Sequence, residues 1–257
     1  AINFPVAGGT SGHMLGGALA AIVLGPWAAV LVMTAVIGLQ ALLFQDGGLL
    51  VMGWNIINMG LLTVLIGSLV YRFTRKVMGD GKASLIVAGA AGAWLSVEVS
   101  AIATALELAI SGVTPFSIAL PAMVLVHAVI GVGEALITVG ALVLIARTRP
   151  DILGNGQHAP GARAAVWVGA GLLLSLMLAV FSFMASPNPD GLERVATDLG
   201  FADRALDAAY QLLPDYTIPF IHNETLSGVV AVVLGVLIVF GIMVAVGRIV
   251  RRQTANS

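Results

Sequence analysis

His13 sits in the stretch Gly8-Gly9-Thr10-Ser11-Gly12-His13-Met14-Leu15-Gly16-Gly17, where an imidazole and two hydroxyls interrupt a run of glycines. A neutral imidazole ligates divalent late transition metals, and protons compete for it as the pH falls toward about 6.5. The chain has no cysteine, so any such site must draw on imidazole, carboxylate, thioether, amide or amine groups. A ligating histidine normally donates its other ring N–H to a nearby acceptor. Thr10, Ser11, Asn55, Asn58 and a backbone carbonyl are the candidates for that role. The competing reading is a helix-start histidine satisfied by solvent or backbone. Gly8, Gly12 and Gly16 also recur every four residues, which on a helix makes a ridge that another helix could approach closely.

Other ionisable residues stand in apolar surroundings, where an ionisable group is costly unless it is paired or functional. His127 and Glu134 are seven residues apart, two turns along one helix face and about 10.5 Å along its axis, too far to share one ion. Internal hydrogen bonding or coupling to another subunit is the expected role for both. Glu98 and Glu107 lie on the preceding long apolar segment, and Glu98 could neutralise His127 or remain a buried acid. Asp46, before two glycines, reads as a turn residue. Gly9-Thr10-Ser11-Gly12 spells the G-x-S-G of rhomboid-type intramembrane serine proteases, so Ser11 with His127 as base is the alternative function. The nearest approach to a phosphate-cradling loop is Gly81-Lys82-Ala83, which has Lys76 where a glycine belongs and Ala83 where a hydroxyl belongs. The chain therefore does not hydrolyse ATP by that route.

Apolar segments must position these groups. With 59% hydrophobic and 10% charged residues and a mean hydropathy of +1.02, the chain reads as an all-α integral membrane protein. The expectation is a polytopic bundle of about six or seven transmembrane helices, one of them short. The segments are Gly12 to Leu24 (short), Pro26 to Phe44, Trp54 to Phe73, Ala83 to Ser111, Ser117 to Ala146, Ala164 to Ala185 and Leu226 to Val250. Pro121 is expected to break the fifth locally. Arg72, Arg75, Lys76 and Lys82, then Arg147, Arg149 and Arg163, then Arg248, Arg251 and Arg252 fall on one side if these segments alternate. The positive-inside rule makes that side cytoplasmic, together with the C-terminus. The His13 stretch and the acidic insert 186–225 are then extracytoplasmic. Within the insert, Leu192, Val195, Leu199 and Phe201 mark the apolar side of one or two short helices. A net charge of −1 gives no reason to expect nucleic acid as a partner. The start of the chain, in an outer loop before a short helix, reads as one whose preceding portion is missing, processed or supplied separately.

Several motifs resemble a known family. Asn3-Phe4-Pro5-Val6, the Gly8 to Gly17 stretch, Leu24-Gly25-Pro26-Trp27, Leu43-Phe44-Gln45-Asp46-Gly47-Gly48, Asn55 to Gly60 and His127 to Thr138 resemble the substrate-binding membrane subunits of energy-coupling factor transporters for cobalt and nickel, the CbiM/NikM family. Pro189-Asp190-Gly191-Leu192-Glu193 resembles the signature of their small CbiN/NikN partner, here fused C-terminally. The resemblance implies a metal-binding membrane domain over 1–150, a cytoplasmic linker over 151–163 and a CbiN/NikN-like region over 164–257.

It also implies a nitrogen-rich, roughly square-planar site near the outer face with His13 as one ligand. In the family an amino-terminal Met-His pair supplies the others, and this sequence has no such pair. Ni²⁺ or Co²⁺ is then the transported substrate, with no organic cofactor. The implied partners are a transmembrane coupling subunit, two ATPase subunits and the lipid bilayer of a bacterial-type inner membrane.

Overall fold

The computed structural model describes residues 3–6, 10–153, 164–181, 186, 188–206, 210 and 212–255. Gly8, Gly9, Pro187 and most of the expected linker, including His158 and Arg163, lie outside the described residues. Two short strands, β1 (Asn3–Val6) and β2 (Thr10–His13), open the chain. The next helices are α1 (Gly17–Leu24), α2 (Pro26–Leu39), α3 (Gly48–Asn55), α4 (Thr63–Met78), α5 (Lys82–Ile110) and α6 (Phe116–Thr148). After them come α7 (Ala164–Val180), α8 (Gly191–Asp198) and α9 (Glu224–Ala255).

Two π-helical stretches extend or join these helices. Gln40–Phe44 continues α2, and Ile56–Leu62 fuses α3 to α4. Among the described residues, five continuous helices are long and apolar enough to cross a membrane: Pro26–Phe44, Gly48–Met78, Lys82–Ile110, Phe116–Thr148 and Glu224–Val250. The shorter apolar helix Val166–Val180 joins them. This is a helical, multi-pass membrane protein, as composition required.

Two local expectations change. The His13 stretch is a strand rather than the start of a helix, so Gly12 and Gly16 form no helical ridge. Gly16 holds a left-handed φ of 73°, which turns the chain out of the strand and lets α1 begin at Gly17. α6 runs unbroken through Pro121. That proline lies in the first two turns, where it removes one helical hydrogen bond near an end that already lacks several.

The contacts divide the chain into two compact units. The first comprises residues 1–33, 53–158 and 185–207. In it α5 and α6 run antiparallel: Gly89 faces Leu142, and Trp94 Nε1 donates to the Ala128 carbonyl at 3.0 Å. Arg75, Lys76 and Lys82 at the α4–α5 turn therefore share one end of this unit with Arg147. Small residues set its close approaches, since a Cβ on Gly67 would lie 2.5 Å from that of Ala18, and one on Gly17 would lie 1.9 Å from Thr63 Oγ1. Val195 joins Ala101, Ala105, Ala119 and Met123 in a buried cluster, with Leu199 and Phe201 packed on it. Leu192, from the same expected apolar side, is 39% exposed.

The second unit comprises residues 34–52, 159–184 and 208–257. Here the Phe44 and Tyr216 rings stack with centroids 4.4 Å apart, and Phe44, Ile218 and Ala231 form its buried cluster. The Tyr216 hydroxyl donates to Asp46 Oδ2 at 2.9 Å, and Gln40 Nε2 donates to the same oxygen at 3.1 Å. Asp46 is thus more than a turn residue, because it anchors the insert. Burial, and then the Asp46 carboxylate beside it, push the Tyr216 hydroxyl well above its ordinary pKa of 10.0.

Tyr216→Phe removes that charged hydrogen bond and should cost about 1.5–3 kcal/mol of stability. The raised pKa also fixes the sign of the pH dependence. The folded chain keeps the Tyr216 proton while the unfolded chain loses it above pH 10.0, so this contribution is present below that pH and declines above it. Thermal unfolding followed from about pH 8 to about pH 11, across the range where tyrosine titrates, should therefore show a smaller alkaline loss in Tyr216→Phe than in the wild type.

Candidate metal site

The strand bearing His13 is held along both edges. Antiparallel pairing with β1 sets Asn3 opposite His13, Phe4 opposite Gly12, Pro5 opposite Ser11 and Val6 opposite Thr10. On the other side the Ser11 amide donates to the Pro189 carbonyl at 2.8 Å, and Ser11 Oγ donates to the Asn188 carbonyl at 2.9 Å. The Ser186 amide donates to the Asn3 carbonyl at 2.9 Å. Asn188 and Pro189 thus meet β2 at Ser11, while Ser186 meets β1 at Asn3. The chain then enters α8 through a capping box in which Asp190 accepts from the Glu193 amide and Glu193 accepts from the Asp190 amide. Ser11 is 0% exposed, and Thr10 and Gly12 are buried beside it, while His13 is half-buried.

α6 backs this arrangement. The Phe4 ring fills the space that side chains at Gly12 and Gly133 would need, with built Cβ positions 2.5 Å and 2.2 Å from its carbons. Gly191 lies against His127, where a Cβ would stand 2.7 Å from Cε1 and 2.9 Å from Nε2. His127 Nδ1 donates to the Met123 carbonyl at 2.8 Å, in the tautomer that bond requires. Glu134, 1% exposed, accepts from the Leu15 amide at 3.0 Å and from the Gly16 amide at 2.8 Å. His127 and Glu134 thus share one helix face but serve different neighbours. Ser11 and His127 also have separate partners, so the structure does not assemble the serine–histidine pair that the G-x-S-G stretch suggested.

The remaining candidates scatter. Asn58 Nδ2 donates to Glu107 Oε2 at 2.8 Å and to Thr104 Oγ1 at 3.3 Å, which takes it to α5. Asn55 closes α3 one turn earlier, and no described hydrogen bond carries it to β2. Glu98 is buried with Oε1 unpartnered rather than paired with His127. Among the described residues, no three His, Cys, Asp or Glu side chains gather closely enough to hold a metal ion.

Asn3 is a polar residue beside His13 that sequence reasoning passed over. It faces His13 across the ladder, and its Oδ1 is buried and unpartnered. Antiparallel partners bring their Cβ atoms to about 4.5–5.5 Å. Only the pairing register could have marked it.

The family described as cobalt uptake substrate-specific transmembrane region matches residues 1–152, and the PDGLE domain matches residues 165–252. The chain belongs to that cobalt-uptake family. A protein of Archaeoglobus fulgidus, provisionally named a fused nickel transport protein NikMN, is 34% identical over 97% of this chain and 82% of its own. The fused nickel transport protein NikMN of Rhodobacter capsulatus is 30% identical over 95% of this chain and 81% of its own. A crystal structure of a truncated transition metal transporter shares 33% identity with a TM-score of 0.50, over 56% of this chain and 72% of that one. The chain is thus a member of the cobalt/nickel transport proteins with a PDGLE-type C-terminal region.

Packing against Phe4 gives a test of the hairpin. Gly12→Ala should cost about 1–3 kcal/mol by overpacking. In a Phe4→Ala background that cost should fall toward zero, because the ring it strikes is gone. Thermal unfolding of the two single variants and the double variant measures the difference.

Proposed function

We propose that this chain captures Ni²⁺ or Co²⁺ at the outer face of a cell membrane and presents it for import, as the substrate-binding subunit of an ATP-driven complex. His13 is the ligand assigned from this chain. The observation that carries the reading is the placement of His13 at the end of a strand bonded along both edges, opposite an unpartnered amide oxygen. A ligand held in this way keeps its geometry when the ion is absent, and preorganisation of that kind raises affinity. The names of the NikMN relatives and of cobalt transport proteins such as that of Sorangium cellulosum point to the same ions. The imidazole nitrogen of His13 suits these metals better than magnesium or calcium.

The shared basic end of α4, α5 and α6 favours the cytoplasm, which leaves the QDGG loop and the insert outside. Residues 1–150 then form the metal-binding domain, 151–163 the linker and 164–257 the fused partner-like region. A transmembrane coupling subunit and two ATPase subunits supply the energy. The chain itself performs no catalysis in this scheme, and no organic cofactor takes part.

Calorimetric titration of the purified chain with Ni²⁺ and Co²⁺ tests the reading. His13→Ala should abolish binding or weaken it by about two orders of magnitude, as expected for the loss of a first ligand. Ser11→Ala should keep the affinity within about tenfold, because its hydroxyl is engaged with Asn188 rather than with the ion. Binding that is indifferent to His13 would overturn the assignment. If the wild type binds neither ion, titration after an amino-terminal Met-His segment is added decides whether the reading survives.

A further inference from the structure

We infer that Glu134 is a positioning residue for His13, because its buried carboxylate grips two successive peptide groups just beyond the candidate ligand. The inference rests on the metal-capture reading and extends it to a residue that does not touch the ion. Its two oxygens accept from successive amides, Oε2 from Leu15 at 3.0 Å and Oε1 from Gly16 at 2.8 Å. A carboxylate that spans two adjacent N–H groups fixes both the distance and the rotation of the backbone it holds. Ser11 anchors the chain on the other side of His13, through the Pro189 and Asn188 carbonyls. Gly12, His13 and Met14 lie between the two anchors, with Gly12 and His13 also paired to β1, so the imidazole sits on a short segment held at both ends and along one edge.

The chemistry at position 134 also favours a grip over passive filling. Glu134 is 1% exposed, and the described ion pairs join Arg75 to Asp80, Arg149 to Asp151 and Arg194 to Asp198, none of them at this carboxylate. Its stabilisation in the structure comes from peptide N–H groups at the start of α1, where the aligned dipoles of the helix favour an anion. An apolar residue would leave both amides without an acceptor. A glutamine would keep one acceptor and turn an NH₂ group toward the other amide.

Two measurements on the full chain test this together: hydrogen–deuterium exchange of peptides covering 10–16, and Ni²⁺ and Co²⁺ titration with the visible spectrum of bound Co²⁺. Glu134→Gln is compared with the wild type and with a change at a buried carboxylate on another helix, Glu98→Gln on α5. The expected result for Glu134→Gln is faster exchange over 12–16 and metal affinity lowered about 10–100-fold, with a changed Co²⁺ spectrum. Glu98→Gln should behave like the wild type in all three. Should Glu134→Gln fail to fold, Glu134→Asp keeps the charge, shortens the reach by one methylene and should shift each readout in the same direction.

Unchanged exchange would show that the grip is not made. Faster exchange with unchanged affinity and spectrum would show that it serves the fold alone, which overturns the inference. If the chain binds neither ion, even with an amino-terminal Met-His segment added, the capture reading fails and takes the positioning role with it. Faster exchange in the variant would then still show the grip to be real, so the two failures are told apart.

Discussion

A buried strand carries unpaired peptide groups along two edges, and burial makes each unpaired group costly. The hairpin that bears His13 meets this requirement with three separate parts of the chain. β1 supplies one edge, and on the other the Pro189 carbonyl takes the Ser11 amide while the Asn188 carbonyl takes its hydroxyl. Glu134 receives the amides just past the strand, where the chain turns into α1. These parts are drawn from distant stretches of the sequence, so the local shape around His13 depends on the whole first unit being folded.

The residues before the PDGLE helix thereby become structural as well as regional. They complete an edge of the strand, and Gly191 fits the small space left by the His127 ring. The Asp190–Glu193 capping box then commits the chain to α8 at once. A side chain in place of Gly191 would push the segment away from α6 and loosen the bonds to Ser11. The second unit has an analogous dependence on one acceptor, with Gln40 and Tyr216 both meeting Asp46.

The two π-helical stretches lie in segments that carry polar residues. Gln40 opens one, and Asn58 lies within the other and bonds to Glu107 on α5. A wide turn adds a residue and rotates the helix beyond it. In both cases the polar side chain reaches an acceptor inside the protein instead of facing lipid, where it would have none.

Sequence alone determined the class of molecule and most of its helices. Long apolar segments have few ways to satisfy their backbone except as helices, and the expected ends of six of the seven lie within about five residues of the observed ones. It also marked His13, Ser11, His127 and Glu134, since polar residues are few in such a chain and each needs a reason to be there. Tertiary structure alone decided what those residues touch. The glycines around His13 suit a helix ridge and a hairpin equally, and Phe4, packed on Gly12 and Gly133, settles it as a hairpin. The partner of Glu134 was hidden for a related reason. Its oxygens meet peptide N–H groups, which every residue but proline possesses and no motif can single out. Asn3 came to face His13 only through the ladder register, because a strand pair brings together residues whose separation in sequence says nothing about their facing.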